Sequence, residues 1–76
     1  MPPTFKTLDV RPLIARGEEP LSAIRARIAV LVPGEGLSII APFLPSPLIE
    51  KLASEGFLSR VEHRSGFWVT HFWRDD

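Results

Sequence analysis

No cysteine occurs among the 76 residues. That excludes disulfides, thiolate zinc sites, redox pairs and persulfide chemistry within this chain. A chain this short buries only about 60% of the surface its unfolded form exposes. Without covalent staples its stability is therefore marginal, and self-association is one expected remedy. Net charge is missing too, because nine Lys+Arg balance nine Asp+Glu. No overall field draws in nucleic acid or an anionic membrane. Long apolar runs are equally absent. No stretch approaches the roughly 18 consecutive apolar residues of a membrane span, and Met1-Pro2-Pro3-Thr4-Phe5-Lys6 lacks the basic and apolar regions of a secretory leader. The expected address is cytoplasmic. Gly-rich phosphate loops, nucleophile elbows and metalloprotease helices do not occur either. The expectation is a protein that is not an enzyme and uses no cofactor.

What is present is the composition of an ordinary globular domain, 45% hydrophobic and 24% charged. One domain over residues 1–76 is expected. Phe5 to Val10 alternates loosely and reads as a first strand with Leu8 and Val10 toward the core. Arg11 to Glu19 carries a proline, a glycine and several charges and reads as a loop. Pro20 then suits a first helical turn, where its missing amide is not needed. Leu21, Ile24, Ile28 and Leu31 recur at spacings of three and four, which predicts a helix to about Val32. Pro33-Gly34-Glu35-Gly36 stops it, and Leu37 to Ala41 forms a second strand. In Pro42-Phe43-Leu44-Pro45-Ser46-Pro47, Ser46 is placed to cap a short helix beginning at Pro47 and ending at Gly56.

Phe57 to His63 and Phe67 to Trp73 flank Arg64-Ser65-Gly66, which predicts a hairpin with a three-residue loop and Gly66 in the left-handed region. That register puts Phe57, Val61, Phe67, Val69 and Trp73 on one face, the better core. Arg60, Glu62, Arg64, Trp68, Thr70 and Phe72 fall on the other. The order β-α-β-α-β-β predicts an α+β two-layer sandwich: a mixed four-stranded sheet with both helices on one face and the other face open.

Two places invite chemistry. Arg11, Arg16, Gly17, Glu18, Glu19 and Pro20 lie at the mouth of the first helix, where free amides and the helix dipole favour an anion. Glu18 and Glu19 already supply negative charge there. The open face is the more informative place. Trp68 and Phe72, with Ile40 and Phe5 on neighbouring strands, predict an apolar strip beside Arg60 and Arg64, and aromatics with arginine are typical binding anchors. The same mixture could stack RNA bases, but zero net charge and the nearby Glu62 argue against a phosphate footprint. His63 and His71 lie on one face in the predicted register but about 13 Å apart, so they cannot share a metal ion.

The stretch LDVRPLIARGEEPLSAI, then VPGEGLSII, a short helix and a terminal hairpin resembles the TusA-like (SirA-like) sulfur carriers. In those proteins a strand, a loop ending Cys-Pro-x-Pro, a helix and Pro-Gly-Glu follow in turn. Aligned that way, Cys-Pro-x-Pro falls on Gly17-Glu18-Glu19-Pro20, so the sulfur-bearing position is Gly17 and carrier chemistry does not transfer. LDVRPL, the Glu-Pro opening of the helix, PGE, the APF-x-P-x-PL loop and the closing hairpin are similar to an uncharacterised bacterial family, domain of unknown function 2249. That likeness implies a fold rather than an activity. The leading expectation is a non-catalytic binding or accessory module contacting a protein partner or a second copy. The rivals are a small-molecule or anion binder at the helix mouth, and a sulfur-relay docking protein that accepts no sulfur.

Overall fold

The computed structural model describes residues 3–74. Seven elements follow in order: β1 (Thr4–Asp9), α1 (Arg11–Ala15), α2 (Leu21–Ala29), β2 (Glu35–Ala41), α3 (Ser46–Ala53), β3 (Leu58–Arg64) and β4 (Phe67–Trp73). The sheet runs β1-β2-β4-β3, with β1 parallel to β2 and β4 antiparallel to both β2 and β3. Ile24 of α2 and Leu52 of α3 enter one buried cluster with Leu37, Ile39, Ala41 and Phe72, so both helices cover the same sheet face. This is the expected two-layer α+β arrangement with a mixed sheet. Among the described residues, no helix is long and apolar enough to cross a membrane.

Local chemistry explains where the boundaries differ from expectation. Arg11 to Ala15 is a short helix rather than a loop, because Pro12 occupies its first turn, where no amide is needed. Gly17, at φ 76°, closes it: the Gly17 amide donates to Ile14 and the Glu18 amide to Leu13, the paired bonds of a Schellman motif. The same device ends α3. There Gly56 sits at φ 93° and the Phe57 amide reaches back to Leu52, both side chains being buried in the core. Ser46 is the first residue of α3 and makes no side-chain cap. The helix α2 ends at Ala29 instead of Val32, since Val32 precedes a proline that disfavours helical backbone. The Val32 amide is taken by the Glu35 carboxylate at 3.1 Å. Of the predicted stripe, Ile24 is buried and Ile28 and Leu31 pack against the core, while Leu21 is 41% exposed. A bidentate ion pair from Arg25 to Glu55, at 2.5 and 2.6 Å, ties α2 to the turn after α3.

The hairpin carries the main correction. Arg64 pairs with Phe67, so the loop is the two residues Ser65-Gly66 and not three. Gly66 takes φ 82° while Ser65 keeps a negative φ, the sign pattern of a type II turn. One residue fewer in the loop reverses which face of β4 accompanies which face of β3. Trp68, Thr70 and Phe72 therefore lie with Val61 on the helix-covered side, through the pairs Val61↔Thr70 and Ser59↔Phe72. Phe72 is fully buried between Leu37 and the helices instead of standing on the open face. Phe67, Val69 and Trp73, expected in the core, stand on the open face with Arg60, Glu62 and Arg64. His63 and His71 point to opposite sides of the sheet. His63 stacks on Trp68 at 4.0 Å on the helix side.

Two substitutions test this assignment by reversible denaturation. Phe72→Ala should lower stability by about 3–5 kcal/mol, the range for emptying a buried aromatic site. The Thr70 hydroxyl is buried without a hydrogen-bond partner among the described residues. Thr70→Val, which replaces that oxygen with a methyl group, should raise stability by about 1 kcal/mol.

Candidate functional site

The face away from the helices presents a row of polar side chains across all four strands. Thr7, Ser38, His71 and Arg60 are register neighbours from β1 through β2 and β4 to β3. His71 is held at both ring nitrogens. Its Nε2–H donates to Glu62 Oε2 at 2.6 Å, and with the ring neutral Ser38 Oγ–H donates to Nδ1 at 2.7 Å. Glu62 and His71 meet because they are diagonal neighbours across the hairpin, Glu62 pairing with Val69 and His71 with Arg60. The second Glu62 oxygen accepts from Arg64 at 3.1 Å. The His71 hydrogen bond, then the Arg64 charge, holds the Glu62 carboxyl below its ordinary value.

Aromatic side chains enclose one end of this relay. Phe5 meets His71 edge-on at 5.2 Å between ring centroids and Trp73 at 6.0 Å with the planes nearly perpendicular. Phe5 can lie inward because its register partner is Gly36. A Cβ at Gly36 would sit 2.5 Å from the Phe5 ring and 2.6 Å from the Phe72 carbonyl oxygen. At the other end of the face, Arg11 lies over the Phe67 ring at 4.8 Å. Between the two ends stand Ile40 and Val69, a directly paired apolar couple.

A Ser–His–Glu chain invites comparison with a hydrolytic relay, and the surroundings bear on that. Ser38 is only 5% exposed, in the middle of a strand flanked on both sides by paired strands. The backbone amides around it are engaged in the two ladders, so none is free to stabilise a developing oxyanion. What the arrangement does chemically is satisfy a half-buried imidazole and orient it at the floor of an aromatic recess.

The loop proposed as an anion site is arranged differently from the open face. Arg11 binds Asp9 through two nitrogens, at 2.8 Å in the shorter contact, and that hydrogen bond lowers the Asp9 carboxyl below its ordinary value. Arg16 pairs with Glu18. The Leu21 amide at the start of α2 donates to the Glu19 carboxylate. Arg11, Arg16, Glu18 and Glu19 thus satisfy one another or the adjacent backbone, and Gly17 and Pro20 contribute the turn and the first helical residue's neighbour. They converge on no common point. Of the residues expected on the interaction face, Ile40, Arg60 and Arg64 are there, and Trp68 and Phe72 are not.

The pattern of the uncharacterized conserved protein family DUF2249 matches residues 7–74. The chain belongs to that family. No curated protein and no solved structure gives a significant match. Within this DUF2249 domain, sequence reasoning missed the Ser38–His71–Glu62 relay and the Phe5–Trp73 corner. Ser38 carried one signal, as the single polar residue in the apolar run Leu37 to Ala41. The Glu62–His71 contact carried none, since it exists only with a two-residue loop. Among the described residues, no group of three or more His, Cys, Asp or Glu is placed to hold a metal ion.

The pH dependence follows from Glu62. Its folded-state pKa is lowered, so its stabilising contribution is complete above the ordinary value of 4.5 and is lost as pH falls through the folded value. The thermal midpoint of Glu62→Gln should lie below that of the wild type at neutral pH. The gap should narrow as the medium is acidified below about pH 4.5. A gap unchanged down to strongly acid pH would show that Glu62 ionisation contributes nothing.

Proposed function

We propose that this domain is a non-catalytic binding or accessory module that acts through protein–protein contacts at its open sheet face. The observation that carries this reading is the face itself. Phe5, Ile40, Leu58, Phe67, Val69 and Trp73 share a side of the sheet that no helix covers among the described residues, and Phe5 and Leu58 are 36% and 46% exposed. Apolar side chains beside arginine make up the composition of interface cores, where large side chains anchor a partner. The engaged amides around Ser38 and the locally paired charges of the Arg11 to Pro20 loop weigh against catalysis and against an anion site at the start of α2.

Kinship with the TusA-like carriers is part of the proposal, supported by the order of strands and the two long helices on one face. Gly17 occupies the position of the carrier cysteine at φ 76°, a backbone conformation that an L side chain adopts only with strain. In a sulfur relay this chain would dock without accepting sulfur.

Ile40→Thr combined with Val69→Thr tests the proposal, because threonine keeps strand propensity while removing apolar contact at the centre of the face. Affinity capture with the wild-type chain, quantified against the double variant, should show recovery of the bound protein falling about tenfold or more, the loss of one interface anchor. Far-UV circular dichroism should be unchanged. Equal recovery with both chains would overturn the reading.

A further inference from the structure

We propose that the recess at the Trp73 end of the open face is a binding site for a small aromatic carboxylate, a function separate from the protein contact at the centre of the face. The recess has a volume of about 300 Å³ and is lined by Pro3, Phe5, Arg60, Glu62, His71 and Trp73. That volume is at the small end of ligand sites and suits one ring system with a short acid arm.

The walls select the ring. Phe5 stands almost perpendicular to Trp73 at 6.0 Å and meets His71 edge-on at 5.2 Å. A flat ring entering this corner packs face-on against one aromatic and edge-on against the other, the two arrangements that aromatic pairs favour. The Gly36 backbone beneath Phe5 keeps that ring inward and the corner narrow.

The charges select the acid. Each Glu62 oxygen already accepts a hydrogen bond, from His71 or from Arg64, whose charge offsets that of the carboxylate, and His71 is held at both nitrogens. Arg60 stands opposite His71 in the ladder and makes no ion pair among the described residues. It is the one guanidinium in the lining, held by no carboxylate among the described residues, and it can take a ligand carboxylate through two parallel hydrogen bonds. A ligand cation would meet Arg60 as a like charge and find Glu62 already engaged.

The test is titration of the full chain, followed by ¹H–¹⁵N correlation spectra, with three probes sharing one ring: indole-3-acetate, the neutral indole-3-ethanol and the cationic tryptamine. Indole-3-acetate should give saturable shifts at the amides of Phe5, Arg60, His71 and Trp73. It should bind about fivefold more tightly than indole-3-ethanol, the upper range for an exposed ion pair, and tryptamine should bind most weakly. Arg60→Gln, an exposed substitution that leaves the core intact, should abolish the advantage of the acid and leave the affinity for indole-3-ethanol unchanged. The proposal is overturned by equal binding of acid and alcohol, or by an acid advantage that survives Arg60→Gln. Shifts centred on Arg16 to Leu21, or no saturable shift from indole-3-acetate at millimolar concentration, would overturn it as well. Loss of the protein contact in Ile40→Thr/Val69→Thr bears on neither outcome, since those residues lie outside the recess.

Discussion

The pairing of Arg64 with Phe67 across a two-residue loop is the constraint on which the rest of this structure depends. Side chains alternate along a strand with period two, so a slip of one residue would exchange every side chain of β4 between the two faces. In the observed register Phe72 enters the core opposite Leu37, and Trp73 stands outside opposite Leu58. Both ladders of β4 impose the same parity, because β2 must bury Leu37, Ile39 and Ala41 and β3 must keep Arg60, Glu62 and Arg64 in water. The turn Ser65-Gly66 joins the strands in that register, and Gly66 accepts the positive φ the turn needs.

From that register the two faces acquire different chemistry. The buried part of the helix-covered face is apolar except for Thr70, and Ile24 and Leu52 close it from above. The other face mixes aromatic rings with a polar relay whose members satisfy one another. That mutual satisfaction explains how His71, with its side chain only 20% exposed, sits among Phe5, Trp73 and the strand backbone without a desolvated, unpaired nitrogen. Arg60 stands beside the relay, near enough to Glu62 for its charge to help lower that carboxyl, and makes no ion pair among the described residues. The asymmetry gives the face a direction: aromatic and cationic at the Trp73 end, aliphatic at the centre, and capped by the Arg11–Phe67 contact at the other end.

The segment Arg11 to Pro20 behaves as a closed unit. Two turns of chain hold three acidic and two basic side chains, counting Asp9, and each finds its partner within two residues. Such short-range pairs form readily because little chain entropy is lost in bringing them together. The glycine at position 17 serves the Schellman closure of α1, a backbone role that accounts for the residue without reference to any bound group.

The amino-acid order was enough for the fold class, four strands, two of the three helices, the cores of β1 and β2, and family membership through LDVRPL, PGE and the proline-rich loop. These depend on local periodicity, on proline and glycine, and on contiguous motifs. It was not enough for α1, whose five residues are too few to show a period, nor for the faces of β4. The run Phe67 to Trp73 is apolar on both sides, so its pattern does not say which side is buried. The length of Arg64-Ser65-Gly66 and its glycine position suit a three-residue loop as well. Only the assembled sheet, with β2 pairing on one flank and the charged side of β3 on the other, resolves that ambiguity. For the same reason Ser38, Glu62 and His71, separated by up to 33 residues, become neighbours only when the strands are laid side by side.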